Sequence, residues 1–216
     1  MTPIDAAVSV KRHRPSVTER LSYETPLWAR GLQVAGMDEV GRGPLAGPVV
    51  VACVWLPPEP LIEGVDDSKK LSPKRRAALE AQILAMGRYA IAQVEAQEID
   101  AINILQATKR GMVEAAQTLH DHMPQGIDRV LVDGNMQPDL CVPYEHIVHG
   151  DAVSYLIGAA SIVAKEYRDR LMAAYHAQYP AYGFDQNKGY GTAAHMAALR
   201  AYGPCPIHRS TFIRHI

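Results

Sequence analysis

Leu32-Gln33-Val34-Ala35-Gly36-Met37-Asp38-Glu39-Val40-Gly41-Arg42-Gly43-Pro44-Leu45-Ala46-Gly47-Pro48 is the stretch whose reading decides the fold. Its first six residues read as a buried strand and Gly47 to Leu56 as a second, so the glycine-rich piece between them is the turn of a hairpin. Two adjacent carboxylates, Asp38 and Glu39, stand directly before that turn. A carboxylate pair at a strand end can hold a divalent cation. Small residues let backbone N–H groups approach a phosphate, and Arg42 adds a guanidinium fork. The combination points to phosphate-ester chemistry on metal.

Working outward, Ser72-Pro73-Lys74 is a helix start, with Ser72 as N-cap and Pro73 in the first helical position, and Gly87 is its stop. Tyr89 to Val94 reads as a third strand, and Glu98 to His120 as one or two helices. Val130-Leu131-Val132 is a short apolar strand ending in Asp133-Gly134-Asn135, and Ile147-Val148 is another, followed by His149-Gly150-Asp151. A helix follows from about Ser154 to Gln178, stopped by Pro180, and a further one runs from about Ala193 to Tyr202. Residues 1–29 lack sustained periodicity and are expected to be a flexible extension with room for a short helix. Residues 30–216 are expected to form the folded domain.

The 216 residues suffice for one well-buried core, and 48% hydrophobic with 21% charged residues is ordinary for a soluble globular chain. A net charge of −1 excludes a protein coated in basic residues, so any nucleic-acid contact must be local. Lys69, Lys70, Lys74, Arg75 and Arg76 form one basic cluster, and a solvated helix face explains it as well as a nucleic-acid contact does. Cys53, Cys141 and Cys205 are odd in number and widely spaced, which supports neither a disulfide framework nor a zinc knuckle. Reduced thiols, a cytoplasmic location and no membrane role are expected, because the longest apolar run, Val49 to Leu56, is too short to span a bilayer.

Three apolar segments thus end in aspartate: at Asp38, at Asp133 and at Asp151. In α/β sheets ligands gather at the carboxyl ends of strands, so three such ends can share one crevice. Aspartate at a single strand exit is more simply a turn or cap residue, but three together with Glu39 favour a site. Within a regular strand Asp38 and Glu39 face opposite ways, so the strand is expected to break between or beside them. Several close carboxylates cannot all stay ionised without a counter-charge, and oxygen ligands alone favour Mg²⁺ or Mn²⁺ over zinc. Two such ions roughly 3.5–4 Å apart suit an in-line attack on a phosphodiester.

These residues, with Asp67-Ser68-Lys69-Lys70-Leu71-Ser72, Ala159-Ala160-Ser161-Ile162-Val163-Ala164-Lys165, Lys188-Gly189-Tyr190 and His208-Arg209, resemble in order the motifs of the type 2 ribonuclease H family, ribonuclease HII. The resemblance runs from Gly36 to Phe212. It implies a ribonuclease H-like α/β fold, with a central mixed five-stranded sheet flanked by helices and a helical C-terminal part. It places the metal-binding, catalytic carboxylates at Asp38, Glu39, Asp133 and Asp151, with two divalent ions, Mn²⁺ or Mg²⁺, as cofactors. The implied substrates are RNA/DNA hybrids and ribonucleotide-containing duplex DNA, nicked 5′ of a single ribonucleotide to leave 3′-hydroxyl and 5′-phosphate ends, by a protein expected to be a monomer. Gly41, Arg42, Gly43 and Tyr190 would sense the 2′-hydroxyl, and Ser68 and Lys69, beside a helix start, would receive a backbone phosphate.

Two residues stay open between roles. Lys165 lies about 16 Å along its helix at 1.5 Å per residue, so an ion pair or a distant duplex contact is expected rather than a metal contact. His208-Arg209 either approaches the duplex or buttresses the site. The competing reading, a nucleotide- or nucleic-acid-binding protein without nuclease activity, would use Gly41 to Gly47 as a phosphate loop. That run lacks GxGxxG spacing and leads into a strand rather than a helix.

Overall fold

The computed structural model describes residues 17–215. In chain order the elements are α1 (Glu24–Trp28), β1 (Val34–Val40), β2 (Val49–Trp55), α2 (Pro73–Met86), β3 (Arg88–Val94), α3 (Ala96–His122), β4 (Arg129–Asp133), β5 (Tyr144–Ile147), α4 (Gly150–Val153), α5 (Tyr155–Gln178), α6 (Phe184–Asn187) and α7 (Ala193–Tyr202). The strands form one sheet in the order β3-β2-β1-β4-β5. The first three are antiparallel and β1, β4 and β5 run parallel, so the sheet is mixed. Residues 41–48 are the hairpin connection between β1 and β2.

Period-two alternation divides the core. Val34, Ala52, Val54 and Leu131 face one layer with α5 and α2, while Ala35, Met37, Val51, Cys53, Val130 and Val132 face the other with α3. Gly36 lets α5 lie directly on β1, since a Cβ there would overlap the Leu156 backbone. A smaller cluster of Ala46, Met172, Phe184, Leu199 and Ile207 fastens the helical C-terminal part to the hairpin connection.

The helix ends follow their local chemistry. Ser72 accepts from Arg75 N at the start of α2, which Gly87 closes, and Ser154 and Thr192 cap α5 and α7 in the same way. Asn103, at φ 65°, breaks α3 into two helices, and its side chain accepts from Leu105 N (3.0 Å) and Gln106 N (3.1 Å) to start the second. The three cysteines are free, and no described helix is long and apolar enough to cross a membrane.

The expected flexible extension differs from what is found. Its residues 1–16 lie outside the described residues, but from Val17 the chain is packed, with a 3-10 turn at Thr18–Arg20, α1, and Val17, Arg20 and Glu24 all buried. Val17 joins the core, with Leu21, Tyr23, Leu27 and Trp28 packed against it, and the buried Arg20 and Glu24 add polar ties, a mix that leaves no sustained helical periodicity to read.

Candidate active site

β1 runs unbroken through Asp38 and Glu39, paired on its β2 side as far as Val40↔Val50. The expected break lies instead on the other side, where pairing with β4 stops at Met37↔Val132. Asp38 and Glu39 on β1, with Asp133 as the last residue of β4, therefore surround the carboxyl ends of two parallel strands. Asp151 comes from the first turn of α4, after His149 in the left-handed region, and its N–H donates to Asp133 Oδ1 at 3.3 Å.

A pocket of about 170 Å³ opens here, lined by Asp38, Glu39, Val40, Ser68, Lys69, Ser161, Lys165 and Tyr190. Burial, with repulsion from Glu39 and Asp133 added, holds Asp38 well above the ordinary carboxylate range. Burial also lifts Glu39 to about 7, against the pull of Arg42, whose Nη1 stands 3.6 Å from Glu39 Oε1. Asp133 is raised by burial and by the neighbouring Asp151 charge. The Lys69 ammonium reaches Asp151 Oδ2 at 3.0 Å; burial pulls the lysine pKa down, but this bond and the charges of Asp151, Asp67 and Asp38 together raise it.

The donor set suits a hard divalent cation. It offers carboxylate oxygens only, the negative charges repel one another, and the buried Glu39 Oε2 has no hydrogen-bond partner. Among the described residues, however, no three His, Cys, Asp or Glu side chains already close on one point. From within the chain, Lys69 on Asp151 and Arg42 on Glu39 bring cations to the acidic cluster.

The remaining sequence-predicted residues gather around the same pocket. Tyr190 is 46% exposed, and a Cβ on Gly43 would lie 3.7 Å from its ring. Ser68 is buried, with its hydroxyl 2.9 Å from Ser161 Oγ, while Ser161 also hydrogen-bonds Asp38. That bond engages Ser68 away from any phosphate, and Lys69 beside it is the exposed member of the pair. Lys165 makes the expected ion pair, 2.7 Å to Asp169, but it also lines the pocket together with Tyr190.

The loop at Gly41 to Gly47 is held by two buried arginines. Arg209, with no exposed surface, donates to the carbonyls of Gly41 (2.5 Å), Arg42 (2.8 Å) and Gly47. Arg168 donates to Pro48 O (3.0 Å), Ala46 O (3.2 Å) and Lys188 O (2.9 Å), joining the loop to the Tyr190 turn. Of the two roles left open for Arg209, the structure has it buttressing. Gly41, at φ +90°, has no room for a Cβ because the Arg168 side chain fills that space. Burial lowers Arg168 to about 10, and burial with repulsion from Arg168 lowers Arg209 to about 9, so both stay charged.

Behind Tyr190, the hydrogen bonds fix two histidine tautomers. His208 Nδ1 accepts from Cys205 N (2.9 Å), which leaves its proton on Nε2 to donate to His195 Nε2 (3.0 Å). His195 then donates from Nδ1 to Tyr190 O at 2.8 Å. Sequence reading missed Arg168 in this role, although a charged residue at the four-residue spacing of Ala164 and Met172 on a buried helix stripe is a signal. His195, Arg20 and Glu24 gave none.

Set beside known proteins, the chain matches the model of the family described as Ribonuclease HII over residues 35–215. It belongs to the ribonuclease HII family. It is 52% identical to the ribonuclease HII of Syntrophobacter fumaroxidans over 196 residues, covering 90% of this chain and 82% of that one. It is 46% identical to that of Caldanaerobacter subterraneus over 209 residues, covering 96% and 85%. Among solved structures, ribonuclease HII from Archaeoglobus fulgidus, determined in complex with PCNA, superposes with a TM-score of 0.70 at 26% identity, covering 82% of this chain and 94% of that one. A ribonuclease H2 from Pyrococcus horikoshii OT3 gives 0.69 at 25%, covering 83% and 93%. Membership makes this ribonuclease HII relative a ribonuclease H, a hydrolase of phosphodiester bonds.

Proposed function

We propose that the protein cuts the RNA strand of RNA/DNA hybrids and nicks duplex DNA 5′ of a single ribonucleotide, leaving 3′-hydroxyl and 5′-phosphate ends. In this reading Asp38, Glu39, Asp133 and Asp151 hold two divalent ions, Mg²⁺ or Mn²⁺. Divalent ions bound there supply Lewis acidity towards the phosphodiester and neutralise the clustered carboxylates. The observation that supports the reading best is that Asp38, Glu39 and Tyr190, with Gly43 beside the ring, line one pocket, while Lys69 in the same lining reaches Asp151.

The chain's own residues have distinct tasks. The Gly41-Arg42-Gly43 backbone, fastened from beneath, presents groups to a ribose 2′-hydroxyl, and Tyr190 offers a ring to the sugar or base. Lys69 is exposed enough to exchange Asp151 for a backbone phosphate. The working form is a cytoplasmic monomer.

Time courses on matched duplexes with no ribonucleotide, with one and with four, in Mg²⁺ and then in Mn²⁺, test this. Cleavage of the second and third is expected, with the first left intact. Asp133→Asn is expected to lose cleavage and keep duplex binding. An intact single-ribonucleotide duplex under conditions where a known enzyme cuts it would overturn the substrate assignment, and wild-type rates in Asp133→Asn would overturn the carboxylate assignment.

A further inference from the structure

Residues 17–28 precede the stretch that the family model matches, yet two of their charged side chains are almost entirely buried beside the acidic cluster. Arg20 Nη2 is ion-paired with Asp66 Oδ1, while its Nη1 donates to the Asp151 main-chain oxygen at 3.4 Å. Asp66 in turn accepts from Asp67 N (2.7 Å), and Asp67 accepts from Lys69 N (2.9 Å). Since Lys69 Nζ bonds Asp151 Oδ2, the contacts close a ring: Arg20 holds the main chain of Asp151 and Lys69 its side chain.

Glu24 acts on the next turn. Its Oε1 accepts from Ser154 Oγ (2.5 Å) and Leu156 N (3.0 Å), at the junction where Ser154 N returns to Gly150 O at 2.8 Å. Asp151 thus sits on a four-residue helix whose two ends are tied to one upstream segment. Taking two charged side chains out of water is costly, and the ion pair to Asp66 and the hydrogen bonds to Asp151, Ser154 and Leu156 are what offset that cost.

We propose that Arg20 and Glu24 are positioning residues for Asp151, forming a strap that keeps its turn in register with the other carboxylates when Lys69 leaves for a phosphate or is displaced by a cation. The functional half of this rests on the reading of Asp151 as a metal ligand; the mechanical half does not. Glu24→Gln keeps an oxygen acceptor at the same place, whereas Glu24→Ala removes it, and Arg20→Lys keeps the charge but cannot span Asp66 and Asp151 with one ammonium.

Hydrogen exchange of the full chain in metal-free buffer reads the mechanical half. Arg20→Lys and Glu24→Ala are expected to speed exchange at residues 150–156 by about ten-fold or more, while residues 130–133 of β4 and Glu24→Gln stay at wild-type rates. The Mg²⁺ concentration for half-maximal cleavage should rise about ten-fold in the same two variants. If one of them does not fold, as circular dichroism would show, the other still decides. Wild-type exchange at 150–156 in every folded variant, or exchange raised equally throughout the sheet, overturns the strap. Asp151→Asn separates the two readings: wild-type cleavage there removes the metal role, and the exchange data continue to decide the strap.

Discussion

Burial does more to set the charge of Glu39 than any partner does. Its pKa of about 7 in the folded chain lies above the value of about 4.3 for an unperturbed glutamate, so the unfolded chain binds fewer protons in that window. Metal-free protein therefore loses stability from this group as pH rises from about 4.3 to 7. Glu39→Gln should melt higher than wild type at pH 8 without metal, with the gap closing towards pH 4.5; a constant gap would mean that Glu39 is not the strained charge. Arg209 makes the opposite kind of contribution, since its fork satisfies three carbonyls of the loop that Tyr190 abuts. Arg209→Lys should cost about 3 kcal/mol in denaturant unfolding and slow cleavage of the single-ribonucleotide duplex, because one ammonium cannot replace the fork. Unchanged stability would count against the buttress. These residues also mark how far sequence alone reaches. Asp38 and Asp133 were legible as strand-end aspartates and Asp151 as the acid soon after a short strand, although it lies on α4, whereas Arg20 and Glu24 act through contacts more than 40 residues away, which no local spacing encodes.

At the scale of elements, α7 and the segment after it form a rack for Tyr190. His195 on α7 and His208 beyond it are both held neutral, His208 at about 4 by burial and by its histidine neighbour and His195 below its usual range by burial. Here the unfolded chain binds more protons between about pH 6.5 and 4. The stability the pair contributes is complete above pH 6.5 and is lost as pH falls through that window. Urea midpoints at pH 7.5 and pH 5.0 should differ less in His208→Gln than in wild type, and an identical difference would clear the histidines of the effect. Most elements were readable: α2 from its Ser72-Pro73 start and Gly87 stop, and α7 at its full extent. The split in α3 was left open by its sequence pattern, because it depends on one asparagine adopting a left-handed backbone.

For the molecule as a whole, the sheet and the helical C-terminal part meet at the loop between β1 and β2. Ala46 sits in the small cluster with Phe184, and Leu45 N and Gly47 N donate to Gly189 O and Ile207 O, each at 2.8 Å. The two parts should therefore unfold together. Phe184→Ala is expected to cost about 3–5 kcal/mol and to keep a single calorimetric transition, while two separate transitions would show that the parts are independent. The individual strands and helices were read from the sequence pattern, and their assembly into a mixed five-stranded sheet from the family resemblance, but the direction in which this C-terminal part folds back was not, since it is carried by main-chain bonds and by contacts of Phe184, Arg168 and Arg209 with residues far away in sequence.

The tie between Arg209 and Gly47 spans 162 residues of chain, and that distance has a consequence for synthesis. A ribosome adds residues in order, so the hairpin of β1 and β2 emerges long before the guanidinium that props it open. A growing chain stopped between Asp151 and Arg209 already carries Asp38, Glu39, Asp133 and Asp151, but its loop at Gly41 to Gly47 lacks the Arg209 fork. The loop is thus braced last, after the message has been read past that codon.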